Sequence, residues 1–132
     1  LLSLVYLDLD DFKYVNDRLG HSAGDELLRF IAQHVVRNVR ASDLVGRLGG
    51  DEFAILLPET DSNGTRAAAE KVRRHLNNAM ADSPTPVTLS IGAVTFESPP
   101  ASADDAVSMA DRLMYEVKED GKNDVAHQVV HS

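Results

Sequence analysis

Apolar and polar positions along this 132-residue chain follow two periods, and the switches between them mark out its elements. From Leu1 to Leu9 the residues are almost continuously apolar, as in a central strand covered on at least one face, and the run ends in Asp8-Leu9-Asp10-Asp11. Phe12 to Leu19 fits a short helix carrying Lys13, Asn16 and Asp17, broken by Gly20 and His21. From Asp25, the residues Leu28, Ile31, Val35 and Val39 recur at helical spacing, widened by Leu27 and Val36, which predicts a helix to about Arg40 with that face buried. Ser42-Asp43 turns the chain. Leu44 to Leu57 then reads as a hairpin, two apolar runs around the charged tip Arg47-Leu48-Gly49-Gly50-Asp51-Glu52-Phe53. Its paired glycines permit the positive backbone angles of a tight turn and leave the main chain bare.

Residues 58–64 read as a loop, and Ala68, Val72, Leu76 and Met80, spaced by four, as a third long helix ended by Asp82 to Pro86. Val87, Leu89, Ile91 and Ala93 alternate with Thr88, Ser90 and Gly92, a strand with one apolar face and one of small polar residues, closed by Ser98-Pro99-Pro100. Ala106, Met109, Ala110, Leu113, Met114 and Val117 lay out another amphipathic helix. Gly121 stops it before a short strand from Val125 to Val130. A central hairpin with helices as crossovers implies a mixed, largely antiparallel sheet with helices packed on it, an α+β sandwich of ferredoxin-like or palm-like type.

Composition narrows the function. Hydrophobic residues make up 43% of the chain, enough for a single core and a single domain. The formal charge of −8, with 13 basic residues scattered among 21 acids, argues against a nucleic-acid surface but leaves room for one small nucleotide. With no cysteine, disulfides and thiolate metal sites are excluded, and a reducing compartment fits. The apolar opening is far shorter than the roughly 20 residues that span a bilayer and lacks the basic start of a signal peptide. Because the chain opens inside a strand, with Leu1 and no methionine, it reads as a piece of a longer protein whose sensing or anchoring part lies elsewhere.

If the first strand lies beside the hairpin, Asp8 at its end and Asp51 after the turn converge on one edge of the sheet. Two carboxylates beside a glycine turn suffice for Mg²⁺, which completes its shell with phosphates and water and so suits phosphoryl transfer. Lys13 and the main-chain amides of Asp11 and Phe12 stand where a phosphate would be met, although Lys13 also reads as a surface lysine. Lys118 and Lys122, four apart at the end of the last helix, fit both phosphate contact and compensation of the helix dipole. Asn16 and Asp25 are an amide and a carboxylate able to read guanine, with helix capping as the rival role of Asp25.

Taken together, Asp8-Leu9-Asp10-Asp11-Phe12-Lys13-Tyr14-Val15-Asn16-Asp17, Gly20-His21-Ser22-Ala23-Gly24-Asp25 and Gly49-Gly50-Asp51-Glu52-Phe53 resemble the GGDEF domain of bacterial diguanylate cyclases, as do Ser90-Ile91-Gly92 and Gly121-Lys122-Asn123. The resemblance covers nearly the whole chain. It implies a five-stranded sheet wrapped by helices, related to nucleotidyl cyclase and polymerase palm folds, that condenses two GTP into cyclic di-GMP and releases two pyrophosphates. Two such domains would face each other as a homodimer, each bringing one GTP.

By that resemblance Asp8 and Asp51 are the metal carboxylates, with the backbone carbonyl of Leu9 serving the second of two Mg²⁺ or Mn²⁺ ions, and Glu52 supports the signature turn and the metal site. Asn16 and Asp25 hold guanine, aspartate at 25 being the form of GTP-selective members. Phosphates fall to Lys13, Lys118, Lys122, the amides of Asp11 and Phe12 and the bare turn at Gly49 and Gly50. Arg40-Ala41-Ser42-Asp43 has the place and pattern of the family's inhibitory product site, with Lys71 where some relatives carry an arginine; from the residues alone Arg40 and Asp43 could equally be a helix-end ion pair. The resemblance further implies a cytoplasmic domain attached to a sensory or regulatory domain, with no nucleic-acid partner, no membrane contact of its own, and any anchor in segments outside this chain. A module that binds GTP or cyclic di-GMP without turnover, and a purely structural dimerisation domain, are the alternatives.

Overall fold

The structure, a computed structural model, describes residues 1–83 and 87–131. Along the chain lie β1 (Leu2–Leu9), α1 (Phe12–Leu19), α2 (His21–Arg37), β2 (Leu44–Arg47), β3 (Glu52–Pro58), α3 (Ser62–Met80), β4 (Leu89–Phe96), α4 (Ala103–Glu119) and β5 (Val125–Val130). The strands form one sheet in the order β2-β3-β1-β4-β5. β1 runs antiparallel to β3 and β4, β2 antiparallel to β3, and β5 parallel to β4. The mixed, largely antiparallel α+β architecture anticipated from the order of elements is the one observed.

β1 is central and covered on both faces, which is why it reads as one apolar run rather than an alternation. Val5, Leu7 and Leu9 pack with residues of α1, α2 and α3 such as Phe12, Ile31 and Leu76. Leu4 and Tyr6 join Val94, Phe96, Ala110 and Met114 in a smaller core under α4. The period of two then puts Asp8 on the α4 side of the sheet. Small residues on the same side of β4 have a steric cause: a Cβ at Gly92 would collide with the carbonyl oxygen of Ala110, so the α4 backbone lies directly on the strand.

Several boundaries differ from the sequence expectation. α2 begins at His21 rather than Asp25, because Gly20, at φ 89°, takes the break alone and the helix resumes at once. It ends at Arg37 rather than Arg40, where the Asn38 N–H turns back to the Val35 carbonyl. α3 starts inside the anticipated loop, at Ser62, because the Asp61 side chain accepts from the Gly64 N–H and caps it. β4 begins at Leu89 rather than Val87 and continues to Phe96. α3 ends at Met80; the part of its anticipated terminator at residues 84–86 lies outside the described residues.

The tip of the hairpin is also corrected. Neither Gly49 nor Gly50 adopts a positive φ, so the β2–β3 connection is not a two-residue turn of the mirror-image type. Instead Arg47 reaches over the tip, donating from Nε to the Gly49 carbonyl at 3.1 Å and from a terminal guanidinium nitrogen to the Gly50 carbonyl at 2.7 Å. A Cβ at Gly49 would stand at ordinary contact distance, 3.5 Å, from Glu52 Oε2, and one at Gly50 would meet nothing within 4 Å, so packing within the chain demands neither glycine.

Candidate active site

The strand register sets the site. Asp8 lies opposite Glu52 across β1 and β3, and the Leu9 N–H donates to the Asp51 carbonyl at 3.3 Å, which draws the residue after the glycines against the end of β1. One carboxylate oxygen each from Asp8, Asp51 and Glu52 come within 4.8 Å of one another. Asp8 is 9% exposed, and its Oδ1 is buried without a hydrogen-bond donor. Burial first, and then the neighbouring Asp51 carboxylate, push Asp8 up to about 7 against the pull of Lys118.

Glu52 is oriented from below. The Tyr6 hydroxyl, two residues before Asp8 on the same face of β1, donates to Glu52 Oε2 at 2.5 Å. Burial, and then Glu52, raise the Tyr6 phenol well above its usual range, so it stays a donor. A cluster of hard oxygens with one orphaned acceptor is what a small divalent cation such as Mg²⁺ or Mn²⁺ fits.

Lys118, in the last turn of α4, leans into this cluster. Its Nζ donates to the Leu9 carbonyl at 3.2 Å and pairs with Asp8 at 3.3 Å and Asp10 at 3.7 Å. Lys122 is not part of the helix end, as the spacing had suggested. It follows α4 in a turn at φ 66° and pairs with Asp11 at 2.7 Å. Asp11 is itself left-handed, at φ 61°, and exposed, and Phe12 opens α1 with the exposed Lys13 after it.

Asn16 on α1 sits against Gly24 on α2, where any Cβ would collide with its Oδ1, and that oxygen has no donor. Asp25 follows Gly24 and is exposed. It occupies the second turn of α2, whose N-cap is Gly20, so the rival capping role falls away. An amide and a free carboxylate therefore flank one seam beside the end of β1.

A second concavity of about 340 Å³ lies away from the carboxylates and is lined by Arg40, Asp43, Thr60 and Lys71 among others. Here Arg40 grips Asp43 through both Nε, at 3.3 Å, and a terminal nitrogen, at 2.9 Å, and reaches the Thr60 hydroxyl at 2.7 Å. The fork in the sequence is thus an assembled ion pair whose aspartate side chain is 3% exposed and whose arginine faces outward at 57%.

Tyr6 and Asp10 were missed. The spacing of two before Asp8 would have flagged Tyr6. For Asp10 the signal lay in Thr88 and Ser90, two hydroxyls on the face of β4 that meets the end of β1.

Comparison with known proteins bears on this geometry. A family model described as "Diguanylate cyclase, GGDEF domain" matches residues 1–124. The diguanylate cyclase DosC of Escherichia coli (strain K12) is 40% identical over 128 residues, covering 94% of this chain and 28% of DosC. Among solved structures, the GGDEF domain of PA1120 (YfiN or TpbB) from Pseudomonas aeruginosa superposes with a TM-score of 0.88 at 32% identity, covering 98% of this chain and 83% of that one. The GGDEF domain of DgcB from Caulobacter crescentus, solved in complex with c-di-GMP, gives a TM-score of 0.86 at 28% identity, covering 96% and 77%.

Proposed function

This chain belongs to the GGDEF domain family of diguanylate cyclases, and we propose on that basis that it condenses two GTP into cyclic di-GMP with release of two pyrophosphates. The observation that carries the proposal is the convergence of Asp8, Asp51 and Glu52 with an orphaned Asp8 oxygen among them. Asp8 and Asp51 would hold Mg²⁺ or Mn²⁺, two ions per site, the second using the Leu9 carbonyl. When bound, the metal would neutralise the triphosphate and favour ionisation of the attacking hydroxyl.

The chain's own groups do the rest. Glu52, clamped by Tyr6, keeps its carboxylate turned into the cluster. Lys118 now occupies the carbonyl and carboxylate that a metal would take, and on displacement its ammonium becomes available to the phosphates. Lys13, Lys122 and the amides of Asp11 and Phe12 extend that anion site, and the bare Gly49-Gly50 backbone admits the triphosphate. Asn16 and Asp25 read guanine. Arg40, Asp43 and Lys71 hold the product as an inhibitor, the guanidinium taking phosphate or guanine acceptors and the carboxylate guanine donors.

One site carries one GTP, so a second copy must supply the other, and the active form is a homodimer. In the whole protein, a signal-transduction enzyme making a second messenger in the cytoplasm, an attached sensory or regulatory domain sets the pairing. The test is GTP turnover with Mg²⁺ by this chain carried on a dimerising coiled coil, read by chromatography for cyclic di-GMP, with Asp51→Ala as control. Product from the parent alone is expected. Nucleotide binding without product by the paired protein would instead make it a non-catalytic regulatory module.

A further inference from the structure

Asp10 is more deeply buried than Asp8, 2% exposed against 9%, and the reading above gives it no task. Its Oδ1 accepts from the Ser90 hydroxyl at 2.6 Å and lies 3.7 Å from Lys118 Nζ. Its Oδ2 accepts from the Thr88 hydroxyl at 2.5 Å and from the Asn123 N–H at 3.1 Å. Its own N–H donates to the Thr88 carbonyl at 2.9 Å. One side chain thus touches the start of β4, the last turn of α4 and the turn before β5.

That turn is unusual. Gly121, Lys122 and Asn123 are left-handed in succession, at φ 110°, 66° and 50°, a conformation unfavourable for residues that carry a Cβ. It holds because Asn123 is tied from both sides, its N–H to Asp10 and its Oδ1 to Arg73 at 3.1 Å and Asn77 at 3.2 Å. Lys122 projects from this tied turn to Asp11. Asp10 therefore fixes both lysines at the end of the sheet, Lys118 by charge and Lys122 through the neighbouring backbone.

We infer that Asp10 is a positioning residue for the triphosphate: it keeps Lys118 and the Lys122 turn in the site when a metal occupies Asp8. Lys118 shares its ammonium between Asp8 and Asp10. A divalent cation on Asp8 removes that counter-charge and repels the ammonium, and Asp10 is then the anion that holds it within reach of phosphate. This rests on the cyclase reading for the identity of the ligand, and on geometry alone for the link to the two lysines.

The test uses Asp10→Asn, Lys118→Met and the double variant in the coiled-coil-paired chain, with melting curves to check that each is folded at the assay temperature. KM and kcat for GTP are measured with Mg²⁺, and GTP affinity by calorimetry with Mn²⁺. Asp10→Asn is expected to raise KM and the GTP dissociation constant about tenfold, the size of one charge-assisted hydrogen bond, with a smaller fall in kcat. The double variant should bind GTP more tightly than the product of the two single effects predicts, since Asp10 acts in part through Lys118, with the remaining loss coming from the Lys122 turn. A lowered melting temperature with parental KM and GTP affinity would make Asp10 a structural tie and overturn the inference, as would fully multiplicative effects. Should Asp10→Asn not fold, Thr88→Val, which strips one hydroxyl at nearly equal volume, is expected to weaken GTP several-fold, about half a decade; parental affinity there overturns it equally. If the parent binds GTP but makes no product, the cyclase reading fails while GTP affinity still decides the role of Asp10.

Discussion

Two acid-bearing corners of this molecule are built on opposite principles. At the end of β1, Asp8, Asp51 and Glu52 crowd together with too few donors, one buried oxygen left over and only Lys118 in partial compensation. At the Arg40 concavity, the single buried carboxylate of Asp43 is met by both arms of a guanidinium and by the backbone N–H of Arg40 at 2.8 Å. The first corner is short of positive charge and would gain by taking a cation. In the second the acid is already paired, and with Lys71 in the lining the concavity keeps an excess of positive charge, so on the reading proposed above its ligand would bring anionic acceptors, as a phosphate does. On the function proposed above, the incomplete corner would be the reacting site, and the paired one would hold a whole molecule without changing it.

Removing one acid from the incomplete corner separates the two most sharply. Asp8→Asn should lower cyclic di-GMP formation about a thousandfold or more, the several kcal/mol a metal contributes, as read by chromatography with Mg²⁺. Binding of cyclic di-GMP at the Arg40 concavity should survive in that variant. Conversely, Arg40→Ala should weaken cyclic di-GMP binding about 30-fold by calorimetry, in line with loss of a bidentate charged contact. If Asp8→Asn abolished product binding as well, the two corners would not be independent sites.

Much of this arrangement was legible beforehand. Hydrophobic period placed the strands and helices, and the acids at the end of β1 and after the glycine pair met as anticipated. What the sequence hid was the division of labour among Asp8, Asp10 and Asp11, three acids in four positions. Asp8 faces other carboxylates, Asp10 is sealed under Thr88 and Ser90, and Asp11 turns outward with a left-handed backbone to pair with Lys122. Those fates depend on which segment crosses the strand end, and that is tertiary information. The hairpin tip was misjudged for a related reason: an arginine side chain, rather than a positive φ at glycine, closes it. The role of Tyr6 follows from register alone, and Tyr6→Phe tests it. Losing its bond to Glu52 should lower turnover roughly tenfold at unchanged volume, measured as initial rates with Mg²⁺. Parental initial rates in Arg40→Ala, beside a clear loss in Tyr6→Phe, would tie Tyr6 to the incomplete corner.

The contrast also sets a pH dependence whose sign differs from the usual carboxylate. Asp8 stands at about 7 in the folded chain against an ordinary 3.8, so between those values the native state holds a proton that the unfolded state has lost. Its contribution is fully present below pH 3.8 and is lost as pH rises through 7. His127 opposes it: burial and then the Arg66 charge lower its pKa, so its penalty appears as pH falls below the ordinary histidine value of 6.5. The parent's stability profile therefore mixes two slopes, and comparison with Asp8→Asn isolates one. Without metal, the variant should gain on the parent as pH rises from 4 to 8, by on the order of 1 kcal/mol after allowance for water reaching the site, read from urea unfolding at each pH. Adding Mg²⁺ at pH 8 should shrink or reverse that gap, because the cation stabilises the folded parent by mass action and the variant far less. A gap independent of both pH and Mg²⁺ would mean that the Asp8 corner is not short of positive charge, and the distinction between the two corners would fail at its source.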